Sequence, residues 1–416
     1  MHYIIIGAGP AGIVAAETIR KNDSEADISL IGAESEPPYS RMALPYLLVG
    51  NIEESGSYLR RQQNHYYDLD ISIIQDHVDS INPQSQMLTL QSGKALNYDR
   101  LLIATGSTPI RPPIPGIDSS CVHSCWTLQD ARNIISLARP GSNVVLIGAG
   151  FIGCIILEAL VKRGVNLNVV ETGNRMVPRM LDERAGGLLK RWCENKGIKV
   201  NTSCLVNAIN PAEKGVSVQL DNGNSLAADL VITATGVKSS LELVRGSGII
   251  TDQGILVDDY LQTSQPNIYA AGDVAQGLDF STAEHTVQAI QPTATDHGRI
   301  AALNMCGKKT RHHGSVNMNV LDTLGLISCS FGSWMGVEGG DSAHLYNEND
   351  FLYINLQFSE DTLVGASTVG KTQHIGVLRG LIESRIKLGD WKDRLIKDPS
   401  CLMEAYMECT QEIGFS

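Results

Sequence analysis

The feature that most constrains the fold is a glycine-rich stretch near the start of the chain, residues 3–12 (YIIIGAGPAG). Residues 3–6 form an apolar, β-branched run typical of a strand buried on both faces. The next residues match the pattern G-x-G-x-x-G, and helical spacing continues over residues 13–20. The matching residues are Gly7, Ala8, Gly9, Pro10, Ala11 and Gly12. Such a turn bends tightly, admits a pyrophosphate to the backbone and packs helix on strand, so the stretch predicts a nucleotide-binding unit.

A second copy of this pattern lies in the middle of the chain. Residues 144–147 read as a strand, and the glycine pattern that follows opens a helix running to about residue 163. The matching residues are Gly148, Ala149, Gly150, Phe151, Ile152 and Gly153. A strand over 167–170 then ends in Glu171, about twenty residues after the glycines, where a carboxylate for an adenosine ribose is expected. Arg175 is close enough in sequence to meet a 2′-phosphate, but the glutamate favours NAD over NADP.

Two further segments repeat each other, which indicates an internal duplication. Residues 100–106 (RLLIATG) and 229–236 (DLVITATG) are buried strands ending in A-T-G, a small-residue ending that suits close approach of a ligand. Their final residues are Ala104, Thr105, Gly106 and Gly236. Two glycine patterns with two A-T-G strands are more specific than one of either, and they imply two bound dinucleotides.

Other candidate ligand contacts surround the first copy. Residues 27–31 read as its second strand, and the following Glu34 is either a ribose acceptor or a solvated loop residue. Arg41 is a candidate pyrophosphate partner because its planar fork matches phosphate. Residues 267–273 (NIYAAGD) read as a strand followed by Gly272 and Asp273, a carboxylate that could accept a hydrogen bond from a sugar-alcohol hydroxyl or lie beside a phosphate.

The remaining segments predict secondary structure without catalytic motifs. Residues 71–78 and 87–90 read as strands of a small meander, and 291–299 as a helix start with proline near its first position. The proline-rich 111–116 indicates an inter-domain crossing. After residue 316 the pattern changes to strands (352–358, 362–366) and helices (375–388, 401–409), which indicates an α+β domain. His285 and His297 are isolated and read as structural.

Composition narrows the function classes. The 416 residues carry a formal net charge of −12, which disfavours nucleic acid or an anionic membrane as partner. Nine cysteines occur without a C-x-x-C pair, which indicates reduced thiols, and Cys121 and Cys125 around His123 are too few ligands for a zinc site. We therefore expect no metal. No charged leader precedes the first strand, which favours the cytoplasm.

The two glycine patterns, the two A-T-G strands and A-A-G-D together resemble the FAD-dependent pyridine nucleotide–disulfide oxidoreductase family, strongly over residues 1–310 and more loosely beyond. The resemblance implies an α/β fold with two Rossmann-like dinucleotide-binding domains, the NAD domain inserted in the FAD domain, plus a C-terminal α+β domain that usually builds a homodimer. The implied boundaries are 1–111 with 238–311 for FAD, 112–237 for NAD(P) and 312–416 for the C-terminal domain.

The resemblance also assigns ligand residues. The implied FAD site comprises Gly7, Gly9, Gly12, Arg41, Ala104, Thr105, Gly106, Gly272 and Asp273, with Val78 touching adenine through its backbone. The implied NAD(P)H site comprises Gly148, Gly150, Gly153 and Glu171. Pro10, Ala11, Glu34, Phe151, Ile152 and Gly236 complete the candidate cofactor-binding residues, and no catalytic residue is singled out.

One residue separates this chain from part of the family. Residues 42–46 (MALPY) resemble the C-A-L-P-Y segment of coenzyme A disulfide reductases and NADH oxidases, but Met42 stands at the redox cysteine position. A thioether forms no thiolate, so chemistry through a protein sulfur is excluded there. Residues 38–41 (PYSR) resemble instead ferredoxin and rubredoxin reductases. We expect an FAD-dependent NAD(P)H oxidoreductase that passes electrons to a separate acceptor: a ferredoxin, a rubredoxin, or an oxygenase or reductase component.

Two alternatives stay open. One is an NADH oxidase or small-molecule reductase acting directly, and the other is a slow, redox-switched flavoprotein similar to apoptosis-inducing factor. Ferredoxin reductases usually carry a lysine at Tyr46 and a glutamate at Ile155, and the joint loss of this pair leaves open how the nicotinamide is held. Residues 162–199 hold an excess of five basic residues, which indicates either a dock for an acidic carrier or ordinary solvated helix faces.

Overall fold

Each glycine-rich turn follows the central strand of a parallel sheet, and the two sheets belong to two different compact units. The computed structural model describes residues 1–371 and 373–411. Unit 1 comprises Met1–Pro109, Val237–Asp279 and Ala283–Ser315, and unit 2 comprises Ile110–Gly236, Phe280–Thr282 and the described residues from 316 onward. The three domain boundaries expected from the sequence stay a prediction.

Labels number the helices and strands along the whole chain. Those of unit 1 are β1 (His2–Ile6), α1 (Pro10–Asn22), β2 (Asp27–Gly32), α2 (Leu44–Val49), α3 (His65–Asp68), β3 (Ile71–Gln75), β4 (Val78–Asn82), β5 (Met87–Leu90), β6 (Ala95–Asn97), β7 (Arg100–Ile103), β8 (Ser107–Pro109), β17 (Val237–Ser239), β18 (Ile255–Leu256), β19 (Ile268–Ala270), β20 (Ala275–Leu278), β21 (His285–Thr286) and α7 (Gln291–Met305). Single turns of 3-10 helix lie at Arg41–Ala43, Glu54–Ser57, Glu242–Val244 and Gly272–Val274.

The main sheet of unit 1 is parallel, with strand order β19-β7-β1-β2-β3. Its central strand β1 is apolar because both of its faces are buried, as the sequence predicted. Helices α1 and α7 pack against each other at close range, since a Cβ on Gly298 would lie 2.2 Å from the carbonyl oxygen of Ala11. Glycine at this position therefore permits the helix contact.

One predicted strand of unit 1 is wrong. Residues 71–78 are not a single strand: β3 ends at Gln75 in the parallel sheet, and Val78 begins β4 in a separate antiparallel sheet of order β4-β5-β6. The amide of Asp76 donates to Gly32 O, and the Asp76 carboxylate accepts from the His77 amide. These bonds turn the chain out of the parallel sheet at the polar residues Gln75, Asp76 and His77.

Unit 2 contains the other elements. They are β9 (Val122–Ser124), α4 (Leu128–Leu137), β10 (Asn143–Ile147), α5 (Phe151–Lys162), β11 (Asn166–Val170), α6 (Glu183–Asn195), β12 (Lys199–Asn201), β13 (Val206–Pro211), β14 (Val216–Leu220), β15 (Ser225–Ala228), β16 (Leu230–Thr233), β22 (Met318–Thr323), β23 (Leu326–Gly332), β24 (Asp341–Asn347), β25 (Leu352–Ser359), β26 (Thr362–Val369), α8 (Ile375–Ser384), α9 (Asp390–Lys397) and α10 (Leu402–Gln411).

The parallel sheet of unit 2 repeats the arrangement of unit 1, with order β12-β11-β10-β16-β9. In each sheet the strand before the glycine turn is central, flanked on one side by the A-T-G strand and on the other by its sequence successor. The duplication read from the sequence therefore extends to strand order. The apolar run 144–161 is the strand β10 and the helix α5. Within the described residues, no helix combines the length and apolar character that crossing a bilayer requires.

The later part of unit 2 is an antiparallel sheet of order β22-β23-β26-β25-β24, and its apolar core includes residues of α8, α9 and α10. The α+β character expected after residue 316 is present. The helix predicted over 375–388 is too long, because α8 ends at Ser384 and Arg385 has a left-handed φ of 51°. β22, β23, β24 and α9 were not read from the sequence.

Helix α6, which packs beside the parallel sheet of unit 2, also contacts the sheet β22-β23-β26-β25-β24. Asp182 caps it by accepting from the Ala185 amide at 2.9 Å, and its other carboxylate oxygen accepts from the Tyr353 hydroxyl. The Trp192 indole donates to Thr323 O at 3.1 Å and meets the Phe351 ring edge-on. Asp182 therefore serves both as a helix cap and as an acceptor for a fully buried tyrosine.

His297 on α7 is buried, whereas His285 is exposed. The ring of His297 lies edge-on to that of His312, with centroids 4.7 Å apart. Neither ring nitrogen of His297 has a hydrogen-bond partner among the described residues. Burial, and next the neighbouring His312, lower the pKa of His297 to about 3. The reading of His297 as a structural histidine stays a prediction, but the unpaired ring makes it a source of acid sensitivity.

We predict that replacing His297 by glutamine, which does not titrate, flattens the loss of stability in acid. The unfolded histidine binds a proton near pH 6.5 and the folded one only near pH 3, so stability is present above pH 6.5 and lost as pH falls below it. The contribution of His297 to the unfolding free energy then changes by up to about 1.4 kcal/mol per pH unit. Unfolding free energies of wild type, His297→Gln and the exposed control His285→Gln at pH 7.5 and 5 test this. Equal slopes in all three would contradict it.

Candidate dinucleotide-binding sites

Two glycines of the first turn pack closely against the backbone, and the remaining one, Gly9, faces open space. Gly7 has φ +114°, and a Cβ on it would lie 2.1 Å from Ala104 O. A Cβ on Gly12 would lie 1.9 Å from Gly7 O, but a Cβ on Gly9 would meet nothing within 4 Å. The first and third glycines therefore permit backbone contacts that no other residue allows, and the second faces open space in which a phosphate fits.

The second turn repeats this geometry. Gly148 has φ +102°, and a Cβ on it would lie 2.4 Å from Ala234 O, while one on Gly153 would lie 2.2 Å from Gly148 O. A Cβ on Gly150 again meets nothing within 4 Å. In both units the alanine of the A-T-G segment thus packs directly on the first glycine. Gly236 follows with φ +105°, and its carbonyl accepts from the Ile110 amide.

Each turn presents the start of a helix. Pro10 and Ala11 open α1, and Phe151 and Ile152 open α5. Within the described chain, no side chain caps either helix at Gly9 or Gly150. The first backbone amides and the positive end of the helix dipole therefore remain available to an anion, which is what a pyrophosphate requires.

In unit 1 the predicted residues converge near the first turn. A Cβ on Gly272 would lie 3.3 Å from the Ala11 side chain at the start of α1. The Asp273 carboxylate accepts from the Ser107 hydroxyl at 2.8 Å. Burial raises the pKa of Asp273, and the Ser107 hydrogen bond and the positive charge of Arg41 act in the opposite direction. Thr105 donates to Ser240 O at 3.3 Å, directly before Gly106.

Glu34 and Arg41 lie together at the end of β2. Arg41 Nη2 donates to Glu34 Oε1 at 2.8 Å, and the Tyr39 hydroxyl donates to Glu34 Oε2 at 2.6 Å. Ala8, Gly32 and Glu34 line an open cavity of about 980 Å³ in unit 1. This volume suits a nucleoside-sized ligand beside the first turn. Tyr39, which orients the glutamate, was not singled out from the sequence.

Glu171 and Arg175 lie at the second turn. Glu171 is buried, and its carboxylate accepts from the amides of Ala149 and Gly173, both at 2.7 Å. Its hydrogen bond to Ala149 places it directly beside the glycine turn, where the sequence spacing put it. The Arg175 guanidinium donates to Leu181 O and to the Asn174 side chain, both at 2.8 Å, so it is held by its own loop.

The other predicted residues occupy distinct places. Val78 begins β4 and is buried opposite Leu90. In unit 1, Met42 and Tyr46 are exposed by 51% and 58%. Ile155 lies on α5 in unit 2 and is half-buried. Across the described residues, no group of three or more His, Cys, Asp and Glu side chains is arranged to hold a metal ion.

The basic residues of 162–199 are largely engaged within unit 2. Arg191 pairs with Glu348, and its guanidinium lies 4.9 Å from the centre of the Phe351 ring. Lys190 donates to the Thr202 hydroxyl at 2.9 Å, and Lys196 lies 4.7 Å from the centre of the Trp192 ring. These contacts favour structural helix faces over a docking surface as the role of this stretch.

Two glycine turns with the same geometry therefore lie at the starts of α1 and α5. The model of the pyridine nucleotide-disulphide oxidoreductase family matches residues 1–295. The epsilon subunit of an NADH-dependent phenylglyoxylate dehydrogenase from Aromatoleum evansii is 31% identical, over 98% of this chain and 97% of its own. An NADH oxidase from Methanocaldococcus jannaschii is 34% identical, over 77% of this chain and 73% of its own. The crystal structure of a ferredoxin reductase from Rhodopseudomonas palustris superposes with a TM-score of 0.83 at 26% identity, covering 91% of this chain and 93% of that one.

The chain belongs to the pyridine nucleotide–disulphide oxidoreductase family. It is an enzyme, an oxidoreductase of the FAD-dependent NAD(P)H type, and the mixed α/β fold and the electron-transfer class expected from the sequence are confirmed. Members of this family bind FAD and NAD(H). The assignment of individual residues to either dinucleotide stays a proposal.

We predict that alanine at each of the two open glycines weakens the binding of a different dinucleotide. Gly9→Ala places a methyl in the space for the first phosphate, and Gly150→Ala does the same at the second turn, with no clash in the protein. We expect Gly9→Ala to weaken FAD binding at least about tenfold, and Gly150→Ala to weaken pyridine nucleotide binding similarly while FAD affinity stays unchanged.

Flavin fluorescence titration of the apoprotein and NADH titration of the FAD-loaded protein provide the measurements. Thermal unfolding of both apo variants should match wild type, whereas Gly7→Ala should unfold at a lower temperature because it clashes with Ala104 O. If Gly9→Ala leaves FAD affinity intact, the assignment of the first turn is wrong.

Proposed function

We propose that this enzyme takes electrons from NADH, holds FAD at the first glycine turn as the electron relay, and passes them to a separate acceptor protein without a protein thiol. The observation that carries the proposal is Met42: a thioether stands where thiol-dependent relatives carry the redox cysteine, in a chain with two open dinucleotide cradles. Bound FAD would supply the chemistry, accepting a hydride and releasing electrons singly or in pairs.

The residues of unit 1 fit FAD. The open face at Gly9 and the uncapped start of α1 suit its pyrophosphate. Arg41, which pairs with Glu34 at the end of β2, is the proposed cationic partner. Glu34 suits the adenosine ribose, and Asp273 suits a hydroxyl of the sugar-alcohol chain. The positive end of α7, which begins at Gln291, would stabilise negative charge on a reduced ring system.

The residues of unit 2 fit NADH. Gly150 and the start of α5 suit the pyrophosphate, and Glu171 beside Ala149 suits ribose hydroxyls. A 2′-phosphate would meet the negative charge of Glu171, and the nearby Arg175 is already held by its loop. These two observations favour NADH over NADPH.

Four of the nine thiols support a relay without cysteine. Burial raises the pKa of the Cys125 and Cys193 thiols to about 12 and that of Cys329 to about 11. The thiol of Cys306 in unit 1 also has a raised pKa, chiefly through burial. Because the thiolate is the reactive form, these side chains are poor redox groups at neutral pH.

The acceptor is inferred from the relatives. A ferredoxin reductase of known structure spans nearly the same length as this chain, and so does a relative that is named as one subunit of an NADH-dependent dehydrogenase. Both favour transfer to another protein, either a small iron–sulfur carrier or a partner component of a larger enzyme. A cytoplasmic homodimer is part of the proposal, carried over from the sequence.

A second candidate is direct reduction of oxygen or of a small molecule. The NADH oxidase from Methanocaldococcus jannaschii is the observation that favours it, at 34% identity. Met42 argues against any variant of this chemistry that passes through a thiol at that position. Only direct reaction of the bound cofactor with the acceptor would remain.

We predict that NADH bleaches the FAD-loaded protein in anaerobic rapid mixing, and that a ferredoxin or rubredoxin restores the oxidised spectrum at least about tenfold faster than oxygen does. Alkylation with iodoacetamide and the substitution Met42→Leu should each change both rates less than about twofold, since no thiol takes part. Oxygen as the faster acceptor would favour the oxidase. Very slow bleaching with every acceptor inactive would favour the redox-switched alternative.

We also predict that kcat/KM for NADH exceeds that for NADPH by at least about tenfold, because Glu171 repels a 2′-phosphate. Glu171→Gln removes the charge and should narrow this ratio, whereas Glu213→Gln, an exposed change in unit 2, should leave it unaltered. Steady-state rates with both nucleotides provide the measurement. Equal ratios in wild type and Glu171→Gln would show that another residue sets the preference.

A further inference from the structure

Two serines of unit 1 lie opposite each other on paired strands, and both donate a hydrogen bond to Asp273. β8 and β17 form a two-stranded antiparallel ribbon in which Ser107 lies opposite Ser239. The Ser107 hydroxyl donates to Asp273 Oδ2 at 2.8 Å, and the Ser239 hydroxyl donates to the backbone oxygen of Asp273 at 2.7 Å. Both serines are only 7% exposed. One strand therefore fixes the carboxylate of Asp273 and the other fixes its main chain.

The two bonds restrict different motions of Asp273. The bond to the backbone oxygen sets the position of the short turn Gly272–Val274, which follows the parallel strand β19. The bond to Oδ2 sets the rotation of the side chain. A carboxylate accepts more than one hydrogen bond at each oxygen, so the group remains able to accept from a ligand hydroxyl. A buried acceptor already oriented by the protein loses less entropy when the ligand binds.

We propose that Ser107 is a positioning residue for FAD, which orients the Asp273 carboxylate to accept a hydrogen bond from a hydroxyl of the sugar-alcohol chain. This inference rests on the proposed function, since it requires FAD in unit 1. Ser239 acts only on the main chain beneath. The sequence places both serines directly beside the A-T-G and G-V-K segments, but neither belongs to a recognised motif.

The competing interpretation is that both serines merely fasten the ribbon to the turn at Asp273. In that case their effects on FAD binding would run through the fold and would not depend on the Asp273 side chain. Ser239 provides a matched control inside the same ribbon, because its partner is a backbone oxygen that remains when residue 273 is changed to alanine.

The test is a double-mutant cycle on FAD affinity, measured by flavin fluorescence titration of the full-length apoprotein. Ser107→Ala should weaken FAD binding about tenfold, the cost of one hydrogen bond to a charged group. Ser107→Cys, nearly equal in size but a weak donor, should behave as Ser107→Ala does. In the Asp273→Ala background, Ser107→Ala should change FAD affinity less than about twofold, whereas the effect of Ser239→Ala should persist.

The outcomes separate this inference from the proposed function. If Asp273→Ala leaves FAD affinity unchanged, the proposed FAD site itself is wrong. If Asp273→Ala weakens binding but Ser107→Ala does not, or if Ser107→Ala has the same effect in both backgrounds, Ser107 is not a positioning residue. Retained affinity in Ser107→Cys would show that shape matters and hydrogen bonding does not. Thermal unfolding of each apo variant confirms that the compared proteins are folded.

Discussion

The structure depends on one backbone contact that occurs twice. In unit 1 the first glycine of the turn, Gly7, packs on Ala104 O, and in unit 2 Gly148 packs on Ala234 O. Any side chain at either glycine would overlap the neighbouring strand end, and both glycines have a positive φ. This contact fixes the A-T-G strand beside the strand that leads into the turn. It thereby sets the central strands of both parallel sheets and leaves the second glycine of each turn open to a phosphate.

Charge is placed differently around the two turns. In unit 2 the Glu171 carboxylate accepts from the Ala149 amide, so this side chain helps to set the shape of the turn. In unit 1 the corresponding Glu34 lies in a loop and pairs with Arg41 and Tyr39, while a second carboxylate, Asp273, comes from another part of the chain. The first cradle is thus assembled from segments far apart in sequence, and the second largely from one continuous βαβ unit.

A large part of the fold around the two turns could be predicted from the sequence, because it depends on local residue patterns. The glycine turns, the strands around them and the position of Glu171 follow from residue spacing alone. The break at Asp76 and His77 was missed although Gln75, Asp76 and His77 are polar, because a short polar stretch does not by itself separate a turn from the exposed face of a strand, and the hydrogen bond from Asp76 to Gly32 is what shows the turn. Ser107 and Ser239 were missed for another reason: isolated hydroxyls carry no pattern, and their roles arise from contacts between distant segments. Tyr39 lies in the P-Y-S-R segment, but that resemblance does not indicate its hydrogen bond to Glu34. The engagement of Arg191 with Glu348 likewise depends on packing in unit 2 that no charge count reveals.

The hydrogen bond between Ile110 N and Gly236 O, 2.9 Å long, shows that residues 110–236 begin and end at one point. Because its two ends are adjacent, another βαβ module with neighbouring termini could replace this segment without changing the course of the chain on either side. The exchange has one condition. Trp192 donates to Thr323 O and Asp182 accepts from Tyr353, and both partners lie in the C-terminal sheet, so an incoming module must supply the same contacts or leave these groups unpaired. Replacement of this segment is therefore limited by the contacts of one helix with the C-terminal sheet as well as by the shape of its glycine turn.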